Sequence, residues 1–436
     1  MTKKINSVLK AISYLTCCTL LIGFMFPCAG YTHPATSTDK IFEQIKPSLL
    51  QIRIKLNSGN SIAGYGSGFF VSQTGLVITN YHVVSDIVMD PETYSLEYLK
   101  NDNTTGPLQI MAIDVRNDLA ILQLKNDKTP FLPLQKTKLN KGNRCYSLGN
   151  PLHIGMSIVE GTYNGSVATE YNEFFHFTGA INPGMSGGPV VTENGVVLGV
   201  NKAIRLDGQM VGYVIPASYV SALIDKANII PPRPNSELRA DLNEQILAYQ
   251  KEITNKLLEK PFITIDIGHG YHVPEKLTDF FDCGGYHTNT ADKNYTINST
   301  ICTGNSAISV NEELYSAGIT FSHDLIHSDH MGIKNFSSLC ALFYEHSSDS
   351  KNSLKDNVGR YACKEDTVTS RKSTMRVILC ERQYKELDGL YDVLMKIATL
   401  NEQKTSLQST AKFSGFSHEN GKRLAKRYLE SVTWTP

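Results

Sequence analysis

Apolar positions along this chain fall into three rhythms. Short apolar runs bounded by turn residues recur through the first half: Gly66–Val71, Val77–Val84, Leu119–Leu122 and Cys145–Leu148. Such runs read as buried β-strands. The first two are joined by the turn Ser72-Gln73-Thr74-Gly75, which places His82 at the end of the second strand. A helical rhythm follows over Glu237–Lys260, where Leu238, Leu242, Ile246, Tyr249, Ile253 and Leu257 recur at spacings of three and four. Ser236 is a good N-cap for it. The stripe suits packing on its own chain better than on another. The third rhythm is an unbroken apolar run, Ala11–Phe26, preceded by Lys3, Lys4 and Lys10 and followed by Cys28-Ala29-Gly30.

That opening segment has the layout of a secretory signal peptide over residues 1–30, with cleavage before Tyr31. The alternative is an uncleaved anchor, because Ala11–Gly30 nearly spans a bilayer. Pro27 and the short apolar core favour cleavage. An exported, periplasmic or secreted protein without stable membrane association is therefore expected. Export makes disulfides possible, and removing the leader leaves six cysteines, five of them beyond residue 280. Spacing does not fix the connectivity; the local candidates are Cys283–Cys302 and Cys363–Cys380, while Cys145 reads as a buried free thiol.

The chain of 436 residues is too long for one ordinary core. Apolar residues make up 41% and charged residues 19%, a globular balance, and the formal net charge is zero. No global field favours nucleic acid or an anionic membrane. The proline-rich stretch 229–235 reads as a linker, which divides the chain into a first domain over 39–228 and a second over 236–436. The second is expected to mix helix and strand. Strands are expected at Phe262–Ile267 and Met375–Leu379, and helices at Glu381–Leu400 and, after the Ser417 cap, Glu419–Val432.

Three segments carry the chemistry. Ile181-Asn182-Pro183-Gly184-Met185-Ser186-Gly187-Gly188-Pro189 offers a serine with open space and a backbone able to turn sharply. Ser186 is the candidate nucleophile, and the N–H groups of Gly184 and Ser186 are the candidate oxyanion hole. Upstream lie His82 and Asp118, the latter opening the run Leu119–Leu122. The order His, Asp, Ser is that of the two-barrel, chymotrypsin-type triad. No cofactor or metal is required. The cluster His323, Asp324, His327, Asp329 and His330 would put three histidines on one helical face, but it carries no metal signature, and solvated loop histidines are the default.

Residues 39–228 resemble the protease domain of trypsin-fold serine peptidases of the HtrA/Deg type. The resemblance rests on Gly-Ser-Gly-Phe at 66–69, Thr-Asn-Tyr-His-Val-Val at 79–84, Asn-Asp-Leu-Ala-Ile-Leu at 117–122 and Leu-Gly-Asn-Pro at 148–151. Ala-Ile-Asn-Pro-Gly-Met-Ser-Gly-Gly-Pro at 180–189 and Gly-Val-Asn-Lys-Ala-Ile at 199–204 complete it. It implies an all-β double barrel, two perpendicular six-stranded barrels with His82 and Asp118 on the first and Ser186 on the second. It also implies a serine endopeptidase acting on protein or peptide substrates. Ala180, six residues before the nucleophile, would form the base of the primary pocket, with Val200, Asn201 and Lys202 as another wall. An uncharged base implies cleavage after small aliphatic residues. Lys202 departs from the family by placing a charge near the substrate strand, and Met185 stands where the family often has Asn. The peptide-binding domain common in the family is not legible after the linker, and residues 236–436 resemble nothing recognised. A binding or chaperone-like protein using the protease fold as scaffold is the alternative, and an oligomer is possible.

Overall fold

The computed structural model describes residues 37–435, apart from 60, 125–127, 137–138, 152–153, 169–171, 203–211, 230–233, 280, 290–293, 312, 347–356, 371–372 and 401–403. The leader and most of the expected linker lie outside the described residues. A short helix, α1 (Ser37–Ile45), precedes the first sheet.

Seven antiparallel strands build that sheet: β1 (Leu49–Leu56), β2 (Ile62–Phe70), β3 (Leu76–Thr79), β4 (Tyr94–Lys100), β5 (Thr105–Pro107), β6 (Gln109–Asp114) and β7 (Leu119–Gln123). Their order is β5-β4-β1-β2-β3-β7-β6. Six more form a closed barrel: β8 (Arg144–Gly149), β9 (Ser157–Ala168), β10 (Glu173–Thr178), β11 (Pro189–Thr192), β12 (Val197–Lys202) and β13 (Gly212–Pro216), in the order β10-β13-β12-β11-β8-β9. The first unit thus has one strand more than expected, and six-stranded closure belongs to the second alone. Closure removes exposed strand edges.

Between β3 and β4 the chain forms helix α2 (Tyr81–Met89), so His82 lies in a first helical turn and not at the end of a strand. Apolar and small residues bury nearly every side of α2: Tyr81, Val83, Val84, Ser85, Ile87, Val88 and Met89. Helix α3 (Ala217–Ile229) closes the first half. Helix α4 runs from Asn235 to Leu258, with Pro234 and not Ser236 at its N-cap. Its stripe Leu238, Leu242, Ile246, Tyr249, Ile253 and Leu257 is buried as expected. Burying one such side chain is worth about 1.5–3 kcal/mol.

The C-terminal region opens with β14 (Thr264–Asp266), which pairs with β15 (Tyr271–Pro274), and β15 pairs in turn with the last strand, Thr433–Trp434. It continues through β16 (Phe281–Asn289), β17 (Thr296–Gly304), the small hairpin of β18 (Ile308–Ser309) and β19 (Tyr315–Ser316), and β20 (Gly318–His327). After helix α5 (Ile333–His346) come β21 (Ala362–Ser370), β22 (Ser373–Gln383), β23 (Leu390–Thr399) and β24 (Thr405–Ser417). Together they give a second seven-stranded antiparallel sheet, β16-β17-β20-β24-β23-β22-β21. The helix expected over Glu381–Leu400 is absent: the end of β22 and all of β23 occupy it. β23 pairs along both sides and buries most of its length, which overrides its helix-forming residues. Helix α6 (His418–Ser431) does form where the Ser417 cap placed it, and the Ser417 Oγ accepts from the Asn420 N–H at 3.3 Å.

Helix α4 joins the two halves. One apolar cluster runs from Leu50, Val84 and Ile113 through the α4 stripe into Leu325, Phe413 and Tyr428. Residues from Ile41 onward form one compact unit.

Both expected disulfides are present, Cys283–Cys302 and Cys363–Cys380, each joining residues directly opposite one another on paired strands. Cys145 is free and buried, and burial pushes its thiol up to about 12. Cys340 is the unpaired cysteine of the C-terminal region. His323, Asp324 and His327 lie on strand β20 and Asp329 and His330 just beyond its end, none of them on a helix, and among the described residues no group of side chains is placed to hold a metal. His323 is buried, with Nδ1 2.9 Å from the Ser409 Oγ and Nε2 3.0 Å from the Pro274 carbonyl oxygen.

Burial lowers the His323 pKa to about 4. The unfolded chain therefore takes up this proton first, and stability is complete above the ordinary histidine range. It should fall by about 3 kcal/mol as pH drops from about 6.5 to 4. His323→Gln, followed by chemical denaturation at several pH values, should flatten that window; an unchanged slope refutes the assignment. Each disulfide closes a loop of 19 or 17 residues. Reduction should cost the C-terminal region about 3 kcal/mol per bridge, and mass spectrometry of the non-reduced protein should find two free thiols after leader removal.

Candidate functional site

The first sheet and the barrel meet along strand β2. The Ser67 N–H donates to the Ser186 carbonyl at 2.8 Å, and its Oγ donates to the Gly184 carbonyl at 2.7 Å. The same hydroxyl accepts from the Asn150 N–H at 2.9 Å, and the Ser67 carbonyl accepts from the Thr79 Oγ1 at 2.8 Å. One serine thus docks the 184–188 turn against the strands that lead to His82. No motif reading had assigned Ser67 a task, although the glycines on either side of it signal a close approach.

His82 and Asp118 are brought together directly. The His82 Nδ1 lies 3.0 and 2.9 Å from the two Asp118 carboxylate oxygens, and the His82 backbone N–H donates to Oδ1 at 3.0 Å. Asp118 is 6% exposed and adopts φ +56°, a left-handed conformation that aspartate tolerates better than most residues. The buried amide of Asn80 donates to the Asp118 carbonyl at 2.9 Å and holds that turn. Burial alone would raise the Asp118 pKa. His82, Lys202 and the hydrogen bonds outweigh it and hold the carboxyl down at about 2.

Ser186 sits at the crest of its turn, 6% exposed. Gly184 at φ +92° and Gly187 at φ +84° make the turn possible. Within it, the Met185 N–H goes to the Asn182 carbonyl, the Gly187 N–H to that of Asn201, and the Gly188 N–H to that of Met185. Among the described residues the N–H groups of Gly184 and Ser186 have no partner within the chain. The His82 ring bonds Asp118, its carbonyl accepts from the Ser85 Oγ at 3.0 Å, and among the described residues no hydrogen bond joins the ring to Ser186. Such a bond commonly tightens only when substrate is seated.

Of the residues expected as a pocket wall, all on β12, two have interior side chains. Val200 is fully buried in the apolar core. Asn201 is fully buried too: its Oδ1 accepts from the Ser147 Oγ at 2.8 Å, and its Nδ2 donates to the Leu148 and Met185 carbonyls at 3.0 and 3.3 Å. Strand β12 turns these side chains inward, where Asn201 clamps the nucleophile turn. Met185 also points into the interior. Ala180 and Lys202 are partly exposed. A cavity of about 550 Å³ behind α2, lined by Asp86, Asp90, Arg239, Glu313 and Glu386, touches none of these groups.

The C-terminal half reaches the site from behind. The Tyr81 hydroxyl, next to His82, donates to the Val310 carbonyl at 2.8 Å. The Gln245 side chain on α4 accepts from the Val115 N–H and donates to the Ile113 carbonyl, both at 3.0 Å. Arg116 meets Glu252 at 2.9 Å and lies over the Tyr249 ring. The stretch that carries Asp118 is thereby fixed to α4.

Residues 66–200 match the trypsin-like peptidase domain. A protein of Chlamydia trachomatis, named as a probable periplasmic serine endoprotease of the DegP-like type, is 32% identical over 170 residues, covering 37% of this chain and 33% of its own. One of Bartonella henselae with the same name is 33% identical over 207 residues, covering 44% and 38%. The solved serine endoprotease of Yersinia pestis aligns over 44% of this chain and 67% of its own, with 22% identity and a TM-score of 0.39. The chain thus spans little more than a third of the length of these curated relatives.

A Cβ at Gly187 would fall inside van der Waals contact of the Ser67 carbonyl and the Thr79 Oγ1, at a φ that side chains resist. Gly187→Ala should therefore undock the turn and destabilise the protein by about 2 kcal/mol or more. Urea denaturation checks this, and an unperturbed midpoint would contradict the packing described.

Proposed function

We propose that this chain, whose residues 66–200 form a trypsin-like peptidase domain, is an exported serine endopeptidase that cuts protein or peptide substrates. The observation that carries the reading is the hydrogen-bonded His82–Asp118 pair together with the glycine turn of Ser186, which Ser67 docks against the strands leading to His82. As the Ser186 Oγ attacks the scissile carbonyl carbon, His82 accepts its proton. The carbonyl oxygen gathers charge that the N–H groups of Gly184 and Ser186 stabilise; loss of one such donor typically costs about 3 kcal/mol of barrier. On collapse, His82 returns the proton to the leaving amine, and Ser186 holds the acyl group as an ester. Water, deprotonated by His82, then attacks that ester and frees the carboxylic acid and the serine. Asp118 keeps the imidazole oriented and balances its charge.

Substrate choice rests on Ala180. A methyl group at the pocket base offers no countercharge for lysine or arginine, so small aliphatic side chains fit it best. Export rests on the leader, as does the oxidising setting that the two disulfides suit.

Ser186→Ala should abolish labelling by a fluorophosphonate probe and lower casein or peptide cleavage to below about a hundredth of wild type, with the thermal transition preserved. Unchanged turnover would refute Ser186 as nucleophile, whereas a wild type that neither labels nor cleaves would favour a binding or chaperone-like role on a protease scaffold. Cleavage-site profiling on a peptide library should show valine, alanine or leucine before the cut, and a profile led by lysine or arginine would remove Ala180 from the pocket.

A further inference from the structure

Lys202 belongs to the barrel, yet its charge lies on the other half of the site. It is the last residue of β12, its side chain is 22% exposed, and its Nζ lies 3.6 Å from the Asp118 Oδ2. The same oxygen lies 2.9 Å from the His82 Nδ1. The ammonium also sits 5.1 Å from the centre of the Phe174 ring, on β10, which flanks it with an aromatic face. The other groups near the carboxylate contribute less. On α2, Tyr81 is held neutral because burial raises its pKa, with Asp118 and Asp86 adding to that shift. In the Asp118 loop, Asp114 bonds Asn117, while Arg116 is turned to Glu252. On α4, Gln245 is uncharged. Lys202 is thus the cation that shares the oxygen with His82.

We propose that Lys202 is a positioning residue of the His82–Asp118 pair rather than a substrate contact, anchoring the carboxylate from the barrel side and competing with a protonated imidazole for Oδ2. The inference rests on the serine peptidase reading and deepens it. Two unit charges this close attract one another even in a partly polar setting, and less where solvent reaches them. A second cation at the shared oxygen should therefore keep the pair in its working, singly charged form to lower pH. It also crosses the seam between sheet and barrel, so it stiffens the carboxylate against rotation.

The test compares wild type, Lys202→Met, Lys202→Gln and Lys202→Arg on a short uncharged peptide from pH 4 to 9, each normalised by fluorophosphonate active-site titration. The neutral variants should move the midpoint of the acidic limb of kcat/KM upward by about half a pH unit or more and lower kcat several-fold, with KM unchanged. Arginine, which keeps the charge, should restore the profile. The methionine and glutamine stems differ in packing, so agreement between them separates charge from folding. Acidic limbs that superimpose, with KM raised instead, would overturn the proposal and return Lys202 to the substrate. Wild type that neither labels nor cleaves would instead defeat the peptidase reading, and this inference with it.

Discussion

Everything at the site depends on a hydrogen-bonded seam of a few ångströms at Ser67. Two independently built β units must be held in register to well under an ångström for a nucleophile on one to work with a base on the other. Apolar packing is non-directional and cannot set that register. The Ser67 N–H and Oγ can, because both bind carbonyls of the turn itself. Glycine at 187 then follows as a requirement, since any side chain there would hold the halves apart.

A second constraint acts from the opposite side. The elements that carry His82 and Asp118 complete their hydrogen bonding with Val310 and Gln245, both outside residues 66–200. The apolar cluster beneath them likewise continues into α4 and the second sheet. The C-terminal half is therefore part of the scaffold of the site. Tyr81, beside His82, is fully buried, and its hydroxyl is satisfied by Val310 of the C-terminal half.

Much of this was legible in the sequence, for physical reasons that can be named. The α4 stripe and the Ser417 cap are local signals with one structural solution each, and both appeared as read. The pairing of cysteines followed from short spacing across hairpins. The segment Glu381–Leu400 misled because its residues suit a helix, while its fate was decided by two neighbouring strands far away in sequence. The burial of both Val200 and Asn201 was not legible: neighbours on a strand point to opposite faces, and only the tertiary packing shows that both faces of β12 are covered there. Ser236 and the histidines of β20 failed similarly, through local chemistry read without its tertiary setting. The tasks of Ser67 and Gln245 were invisible, since a partner more than a hundred residues away leaves no periodic trace.

The two disulfides carry a consequence for how this protein meets other chains. They staple β16 to β17 and β21 to β22, the outermost pairs on both sides of the second sheet, and leave its inner strands without a covalent tie. Outer strands are where a sheet frays and where a foreign strand adds on. β16 is a vulnerable example, with Gly284 and Gly285 at its centre and Tyr286 and Ile301 exposed nearby. A strand tied through its side chain can no longer peel away to expose the hydrogen-bonding edge of its neighbour. The bridges thus act as guards against templated aggregation, a role set by where they lie in the sheet rather than by how much stability they contribute.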